Sequence, residues 1–302
     1  MSVSKINMAP GGPSFSRIAC GAWRLADARL QRAEILALTR AAIELGVTTI
    51  DHADVYGSYT CEQLFGEALA AEPRLRDRLQ LVTKVGAVLM SANRPAHRIK
   101  QYNTSRAHII ATLENSLKQL QTDRVDLLLI HRPDPLLDAD EVARAFVALR
   151  DAGKVLHFGV SNFSPSQFDL LASRLPFPLV TNQVQLSVLH MDTMQDGTLD
   201  QCQRLRISPM AWSPLHGGRL LKEDSARANT VRDALHLIGK EIGATAEQTA
   251  IAWILMHPSK PVPVLGTTNL ARLQAAAVAE SVQLNREQWF KIWTASQGRE
   301  VP

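Results

Sequence analysis

Short aliphatic runs alternate with longer amphipathic segments eight times along this chain of 302 residues. The runs that we predict as strands are residues 18–21, 48–51, 81–84, 126–130, 158–161, 180–184, 208–212 and 262–266. Strands that alternate with helices indicate a parallel sheet. Eight such units favour a closed barrel, because an open doubly wound sheet rarely needs so many strands. The sequence therefore predicts an α/β protein with the (β/α)₈, or TIM-barrel, architecture.

Residues with special backbone preferences mark the ends of several predicted helices. Gly46 follows one apolar helical stripe and is typical of the position just after a helix. Asp138, with Glu141 three residues later, predicts a helix start with a capping box. Ser164 followed by Pro165 predicts another start. Helix ends therefore fall between the predicted strands, as the barrel requires.

The segments outside the regular alternation also carry information. The segment before the first predicted strand contains Gly11, Gly12 and Pro13 and predicts a β-hairpin that closes the bottom of the barrel. No low-complexity linker divides the chain, so we expect residues 1–302 to form a single domain. Residues 85–103 and 215–230 form longer connections after predicted strands three and seven. Both follow carboxyl ends of strands, where barrel enzymes place their chemistry.

Composition excludes several classes of protein. The formal charge is +4, but no run of Lys and Arg exceeds two residues, so we expect no nucleic-acid partner. The apolar runs are too short to cross a bilayer, and the N-terminus lacks the apolar core of a secretory signal. Three separated cysteines favour reduced thiols and a cytoplasmic location. The histidines form no zinc-binding spacing, so we predict no metal site.

Polar residues stand at the end of each predicted strand from the second onward. Asp51, Lys84 and His131 end strands two, three and four, and Tyr56 follows Asp51 in IDHADVYG. The later strands end in Ser161 and Asn162 (GVSNFSP), Asn182 and Gln183 (TNQVQ), Trp212 and Ser213 (MAWSPLHGG), and Gly266, Thr267, Thr268 and Asn269. A single polar strand end is commonly just the point where a strand leaves the core. Asp, Tyr, Lys and His together at one face indicate a catalytic site.

These four residue types suit the reduction of a carbonyl. Hydride transfer to a carbonyl leaves an alkoxide, which needs a proton as it forms. A neutral Tyr can donate that proton, and a neighbouring Lys ammonium lowers the pKa of the phenol. An Asp keeps the Lys charged, and a His directs a hydrogen bond at the substrate oxygen.

Together the motifs DHADVYG, LVTK, LLLIH, GVSNF, NQVQ and GTTNLARL resemble the aldo-keto reductase superfamily in order and spacing over nearly the whole chain. The sequence is most similar to its bacterial oxidoreductase branch. The resemblance implies that Tyr56 is the proton donor, that Lys84 lowers its pKa, that Asp51 pairs with Lys84 and that His131 orients the carbonyl. It also implies NADPH as cofactor and a small aldehyde or ketone as substrate.

The same resemblance assigns the remaining site residues. Trp23, Tyr56 and His131 are expected to contact substrate. The expected cofactor contacts are Gly21, Ala22, Trp23, Ser161, Asn162, Gln183, Trp212, Ser213, Leu215, Gly217, Gly218, Gly266, Thr267, Thr268, Asn269 and Arg272. Trp212 stands where most members have a Tyr, and Gly266 where many have a Lys. Ala275 and Ala276 replace a common Glu-Asn pair, so the preference for NADPH depends mainly on Arg272.

Two alternative functions remain open at this point. Lys84 could form a Schiff base in an aldolase-like barrel, but Asp51 would keep it charged, whereas a nucleophilic Lys must be neutral. The chain could also be a sensing or regulatory subunit that binds a nicotinamide cofactor with little turnover. No motif encodes the physiological substrate or the direction of the reaction, and a monomer is the default expectation.

Overall fold

Twelve strands occur in the computed structural model, which describes residues 2–302. In chain order they are β1 (Lys5–Asn7), β2 (Ser14–Ser16), β3 (Ala19–Gly21), β4 (Thr49–Asp51), β5 (Gln80–Val85), β6 (Ala87–Val88), β7 (Gln101–Tyr102), β8 (Val125–Ile130), β9 (Val155–Ser161), β10 (Leu179–Gln185), β11 (Met210–Trp212) and β12 (Val262–Leu265). Eight of them form a closed parallel barrel in the order β3-β4-β5-β8-β9-β10-β11-β12. The predicted (β/α)₈ barrel is confirmed.

The barrel strands match the predicted ones, with small differences at their beginnings. β9 begins at Val155, earlier than predicted, because Val155 pairs with Val125 of β8. β11 begins at Met210, after Pro209, which has no N–H to donate to a ladder. Strands of a parallel barrel are covered on both faces, so long apolar runs identify them well. The four residues Leu127 to Ile130 of β8, for example, are fully buried.

Ten α-helices surround the barrel in the described part of the chain. They are α1 (Arg32–Glu44), α2 (Cys61–Leu69), α3 (Arg106–Leu120), α4 (Ala139–Asp151), α5 (Pro165–Ala172), α6 (Thr198–Leu205), α7 (Ala226–Ile242), α8 (Ala246–Leu255), α9 (Leu270–Val278) and α10 (Arg286–Gln297). No helix within residues 2–302 combines the length and the hydropathy that a membrane-spanning segment requires.

The helix ends largely agree with the sequence. Gly46 has a φ of 79° just after α1, in the left-handed region. Ser164 caps α5 with the capping box that it shares with Gln167. Asp138 caps α4, but the predicted capping box there is wrong. The Glu141 carboxylate instead accepts a hydrogen bond from the backbone N–H of Arg106, at the start of α3.

The N-terminal hairpin lies at the end of the barrel where the strands begin, as predicted. β1 and β2 pair antiparallel, and the Phe15 and Met8 side chains are fully buried. The carbonyl of Met8 accepts a 2.8 Å hydrogen bond from the N–H of Ser208, just before β11. The N–H of Ser16 donates to Thr49 Oγ1, at the start of β4, over 3.0 Å. The hairpin therefore covers the barrel end opposite the predicted site.

Both long connections contain structure that the sequence did not reveal. The connection after β5 holds the antiparallel pair β6 and β7, with Ala87 opposite Tyr102. The connection after β11 holds a 3₁₀ segment, His216–Leu221, and the start of α7. Their apolar content is too low for periodicity to identify such short elements.

Candidate active site

Three neighbouring strand ends bring Asp51, Lys84 and Tyr56 into direct contact. Asp51 ends β4, Lys84 lies near the end of β5, and Tyr56 is on the loop after β4. Lys84 Nζ donates to Asp51 Oδ2 over 2.7 Å and lies 3.0 Å from the Tyr56 hydroxyl. The same ammonium donates to the backbone carbonyl of His52 over 2.8 Å. All three Lys84 protons therefore have partners.

The Lys84–Asp51 ion pair is almost completely buried, with side-chain exposures of 1% and 2%. Burial alone lowers the pKa of Lys84, but the charge of Asp51 and the hydrogen bonds to Asp51 and Tyr56 overcome that effect and raise it above the ordinary value. The ammonium is therefore a fixed positive charge beside the phenol. This arrangement argues against a neutral, nucleophilic Lys84.

The pKa of Tyr56 departs from the sequence-based expectation. Burial raises the pKa of the phenol and outweighs the opposing effect of the Lys84 charge, so the net pKa lies above its ordinary value. The sequence indicated the Lys84 effect correctly but contained no measure of the burial that exceeds it. Tyr56 is therefore protonated at neutral pH, with its hydroxyl held by Lys84.

His131 lies directly after β8, on the other side of Tyr56. Its backbone N–H donates to the carbonyl of Val85 over 2.8 Å, which fixes it against the end of β5. The Tyr56 and His131 rings meet edge-on, with centroids 6.0 Å apart. Burial and the charges of Lys84 and Arg132 hold the pKa of His131 well below its usual range. The imidazole is therefore neutral, and its Nδ1 has no hydrogen-bond partner among the described residues.

A chain of hydrogen bonds connects this cluster to β9, β10 and β11. Gln183 Nε2 donates to Asp51 Oδ1 over 2.8 Å. The Ser161 hydroxyl donates to the carbonyl of Gln183 over 2.9 Å, and Asn162 Nδ2 donates to Ser161 Oγ over 2.7 Å. The Trp212 indole N–H then donates to Asn162 Oδ1 over 2.9 Å. The residues predicted for a carboxamide therefore form one network with the residues predicted for proton transfer.

Trp212 makes a hydrogen bond that a Tyr at this position could not make, because a Tyr ring has no N–H. The indole N–H can only donate, so it fixes which end of the Asn162 amide is the oxygen. Asn162 itself has a φ of 60°, in the left-handed region that few residues other than Gly adopt. Asn tolerates this conformation better than most residues do. Ring and amide therefore form a rigid pair at the ends of β9 and β11.

The segment after β11 adopts several left-handed conformations. Ser213 has a φ of 53°, and Gly217 and Gly218 have φ values of 68° and 85°. Leu215 lies between them and contacts the surrounding core while half-buried. The Arg24 guanidinium donates to the carbonyl of Gly217 over 2.7 Å and joins this segment to the loop after β3. Glycine has no Cβ, so a ligand can approach the backbone closely at these positions.

The segment after β12 leads into α9 and is largely exposed. Asn269 caps α9 by accepting from the N–H of Arg272 over 3.1 Å, and its own N–H donates to Thr267 Oγ1 over 3.2 Å. Gly266 has open space where a Cβ would lie. Thr268 and Arg272 are partly or fully exposed. The predicted helix N-terminus is present, and a helix N-terminus favours anions.

The end of β3 forms the rim beside Asp51. The N–H of Ala22 donates to the carbonyl of Asp51 over 2.9 Å. A Cβ on Gly21 would lie 3.1 Å from Val264 Cγ1, so this position has little room for a side chain. Trp23 is 54% exposed and stands above the rim. Its large exposed ring is available to a ligand in the cleft.

One residue near the site was missed. Arg132 directly follows His131, and its guanidinium carbon lies 5.2 Å from the centre of the Trp212 ring. It forms no salt bridge within the described residues. Its place immediately after a strand-end residue was the available signal. Within residues 2–302 there is also no group of three or more side chains suited to a metal ion.

The closed barrel places this cluster at the carboxyl ends of its strands, where barrel enzymes have their active sites. The chain belongs to the aldo/keto reductase family, whose model matches residues 17–296. It is an oxidoreductase family, and the resemblance seen in the sequence is confirmed.

Curated relatives and solved structures agree with this assignment. The chain is 50% identical over 301 residues to the oxidoreductase YdhF of Escherichia coli, covering 99% of this chain and all of the relative. It is 48% identical to a 6-dehydroglucose reductase of Agrobacterium fabrum, covering 95% of this chain and 96% of the relative. The thermostable aldo-keto reductase Tm1743, solved with the inhibitor epalrestat, superposes with a TM-score of 0.82 at 29% identity, covering 97% and 99% of the two chains.

Proposed function

We propose that this protein is an NADP-dependent reductase of small aldehydes or ketones, with Tyr56 as the proton donor. One observation carries the proposal: Lys84 Nζ lies 3.0 Å from the Tyr56 hydroxyl and 2.7 Å from Asp51 Oδ2 in a buried site. A phenol held beside a buried ammonium is suited to donate its proton during the reaction, because the ammonium stabilises the phenolate that forms.

Each of the four residues of the cluster has its own role in the proton transfer. A nicotinamide cofactor held at the strand ends would supply the hydride for the carbonyl carbon. Tyr56 donates its hydroxyl proton to the carbonyl oxygen as negative charge develops there. Lys84 stabilises the phenolate, and Asp51 keeps Lys84 charged. His131, held neutral, directs a hydrogen bond at the same oxygen and fixes the angle of approach.

The cofactor fits the residues at the remaining strand ends. Ser161, Asn162 and Gln183 offer amide and hydroxyl groups for a carboxamide, and Trp212 offers an aromatic face. The left-handed Gly217 and Gly218 allow a pyrophosphate to approach the backbone closely. Thr267, Thr268, Asn269 and Arg272 would hold the 2′-phosphate at the start of α9. The exposed Arg272, with no acidic partner in a described salt bridge, supports NADPH over NADH.

The names of two relatives and the residues near the catalytic cluster support a substrate class. Two relatives, at 48% and 38% identity, are named 6-dehydroglucose reductases. Trp23 and the Arg132 guanidinium, which has no described salt bridge, offer a stacking surface and several N–H donors at the same end of the barrel as Tyr56 and His131. We therefore include an oxidised hexose with a terminal aldehyde among the candidate substrates.

The test follows NADPH oxidation with a panel of aldehydes, ketones, quinones and 6-dehydroglucose, in the wild type and in Tyr56→Phe. We expect Tyr56→Phe to lose about 10²- to 10⁴-fold in kcat with little change in the Kd for NADPH. Tyr102→Phe is the matched control, since Tyr102 is an exposed tyrosine on β7. Undiminished turnover in Tyr56→Phe would exclude this residue as the donor. Cofactor binding without oxidation of any compound would instead favour a sensing subunit.

A further inference from the structure

An open cavity of about 250 Å³, lined by both polar and apolar groups, lies between α3 and the connection after β5. Its walls include Asp54, Arg94, His97, His108, Ala111 and Asn115. None of Asp51, Tyr56, Lys84 or His131 lines it. The volume is several times the roughly 30 Å³ that one water occupies in the liquid, so the cavity can hold a small organic molecule.

Asp54 supplies an unsatisfied acidic group on one wall. The residue is buried, and its Oδ1 has no hydrogen-bond partner among the described residues. Burial and the nearby Glu62 carboxylate raise the pKa of Asp54 well above its usual range. A buried polar atom without a partner is unfavourable, and the Asp54 carboxyl group lines the cavity.

Arg94 supplies positive charge on the same walls. Its guanidinium carbon lies 4.9 Å from the centre of the Tyr59 ring, and one nitrogen donates to the carbonyl of Asn93. No salt bridge within residues 2–302 involves Arg94. The ring contact holds the guanidinium in place, while most of its N–H donors have no acceptor among residues 2–302.

Two histidines also line the cavity. His97 Nδ1 lies 3.0 Å from the carbonyl of Leu89, which can only accept, so Nδ1 carries a proton. His97 Nε2 has no hydrogen-bond partner among residues 2–302. His108 Nε2 lies 3.3 Å from Thr112 Oγ1. The walls therefore present one guanidinium, two imidazole rings and the Asp54 carboxyl group.

We propose that this cavity is a second ligand site, which binds a small hydroxylated oxyanion. The oxyanion, a carboxylate or a phosphate, contacts Arg94, and hydroxyl groups of the same molecule contact Asp54 and His97. The proposal is independent of the reductase reaction, because its residues are outside the catalytic cluster. Binding there also touches the loop that carries Tyr56, since the Asp54 N–H donates to the carbonyl of Lys84 over 3.3 Å.

The test measures binding of glycerate, inorganic phosphate and glycerol to the full-length protein by titration calorimetry. Two pairs of variants locate the binding. Arg94→Gln removes the central charge, and Arg98→Gln is its control, an exposed Arg of the same connection that does not line the cavity. Ala111→Leu places a larger apolar side chain on the cavity wall without changing charge, and Ala107→Leu is its control one turn earlier on α3. Leu is nearly as good a helix former as Ala, so α3 is preserved.

We expect glycerate or phosphate to bind the wild type and both controls with equal affinity, and to lose about tenfold or more in Arg94→Gln and Ala111→Leu. Glycerate alone indicates a carboxylate ligand, and phosphate alone indicates a phosphate ligand. Three results would overturn the proposal: no binding of either anion, binding that Ala111→Leu leaves unchanged, or binding of glycerol as tight as that of the anions. The NADPH oxidation assay does not enter this test, so the two proposals fail separately.

Discussion

The cluster around Lys84 and the segment from Gly266 to Arg272 are both at the carboxyl end of the barrel, yet they are built differently. In the cluster every Lys84 proton has a protein partner, and the ion pair with Asp51 is buried. In the segment the hydrogen bonds serve to cap α9, and Arg272 faces solvent. In the first region other protein groups satisfy the charged side chains, whereas in the second region the donors stay accessible to a ligand.

Because of this difference, we expect the buried cluster to contribute mainly to folding stability and the exposed segment mainly to ligand binding. A buried charge needs its partner for folding, because desolvation is costly when the partner is lost. An exposed charge is solvated with or without a ligand, so its loss affects binding far more than folding. Substitutions in the two regions should therefore give opposite patterns, and the following changes test that contrast.

The largest effect is expected for Asp51→Asn, which leaves Lys84 buried beside a neutral amide. We expect the free energy of unfolding to fall by about 3–5 kcal/mol, measured by urea denaturation at neutral pH. Asp77→Asn is the control, because the Asp77 side chain is 77% exposed in its ion pair with Arg124. Equal stability of the two variants would contradict the prediction, because it would show that the buried ion pair matters no more for folding than the exposed one.

A second prediction concerns His52, whose carbonyl accepts from Lys84 and whose ring packs 4.7 Å from Phe65. Burial and the Lys84 charge lower the pKa of His52 to about 3. Below about pH 6.5 the unfolded chain gains a proton that the folded protein does not take up, so stability present above that pH is lost as the pH falls towards 3.

From this one residue we expect a loss of about 3 kcal/mol between pH 7 and pH 4. His52→Leu should abolish that share of the slope, as measured by urea denaturation at a series of pH values. His236→Gln, an exposed position on α7, should keep the wild-type slope. An unchanged slope in His52→Leu would show that the ring is protonated, and solvated, in the folded protein.

A smaller effect is expected for Arg272→Ala in the open segment. We expect the Kd for NADPH to rise about tenfold, since a charge-assisted bond to a phosphate contributes roughly 1.5–3 kcal/mol and solvent screening reduces it. The Kd for NADH and the free energy of unfolding should stay unchanged. Arg286→Ala, in the first turn of α10, is the control. Equal weakening of both cofactors would place the 2′-phosphate elsewhere.

The smallest expected effect is that of Trp212→Phe, which keeps an aromatic ring but removes the N–H that holds Asn162. A neutral hydrogen bond contributes about 0.5–1.5 kcal/mol, so we expect the Kd for NADPH to rise about threefold. Adenosine 2′,5′-bisphosphate, which lacks the nicotinamide, should bind as before. Trp293→Phe, on α10, is the control. Weaker binding of the bisphosphate would contradict a local effect on the carboxamide end.

Local patterns in the sequence account for most of the fold and for the position of the site. Apolar runs covered on both faces identified the barrel strands, and the strand-end rule then placed Asp51, Lys84 and His131 side by side. The bond from Gln183 to Asp51 joins residues from opposite sides of the barrel, so no local pattern could reveal it. The net pKa of Tyr56 depends on burial, which is known only once the barrel is closed.

The pairing of β3 with β12, which closes the barrel and which we call its seam, affects how the chain folds. β3 pairs with β12 through Ala19 with Val264 and Cys20 with Leu265, so the first barrel strand has one neighbour near the far end of the chain. On the ribosome, β3 must wait for nearly the whole polypeptide to emerge before that edge is covered. Contacts so distant in sequence form slowly, and an uncovered strand edge can pair with other chains. Aggregation during synthesis should therefore respond more strongly to changes at this seam than to changes at the β8–β9 pair, whose strands are made close together in time.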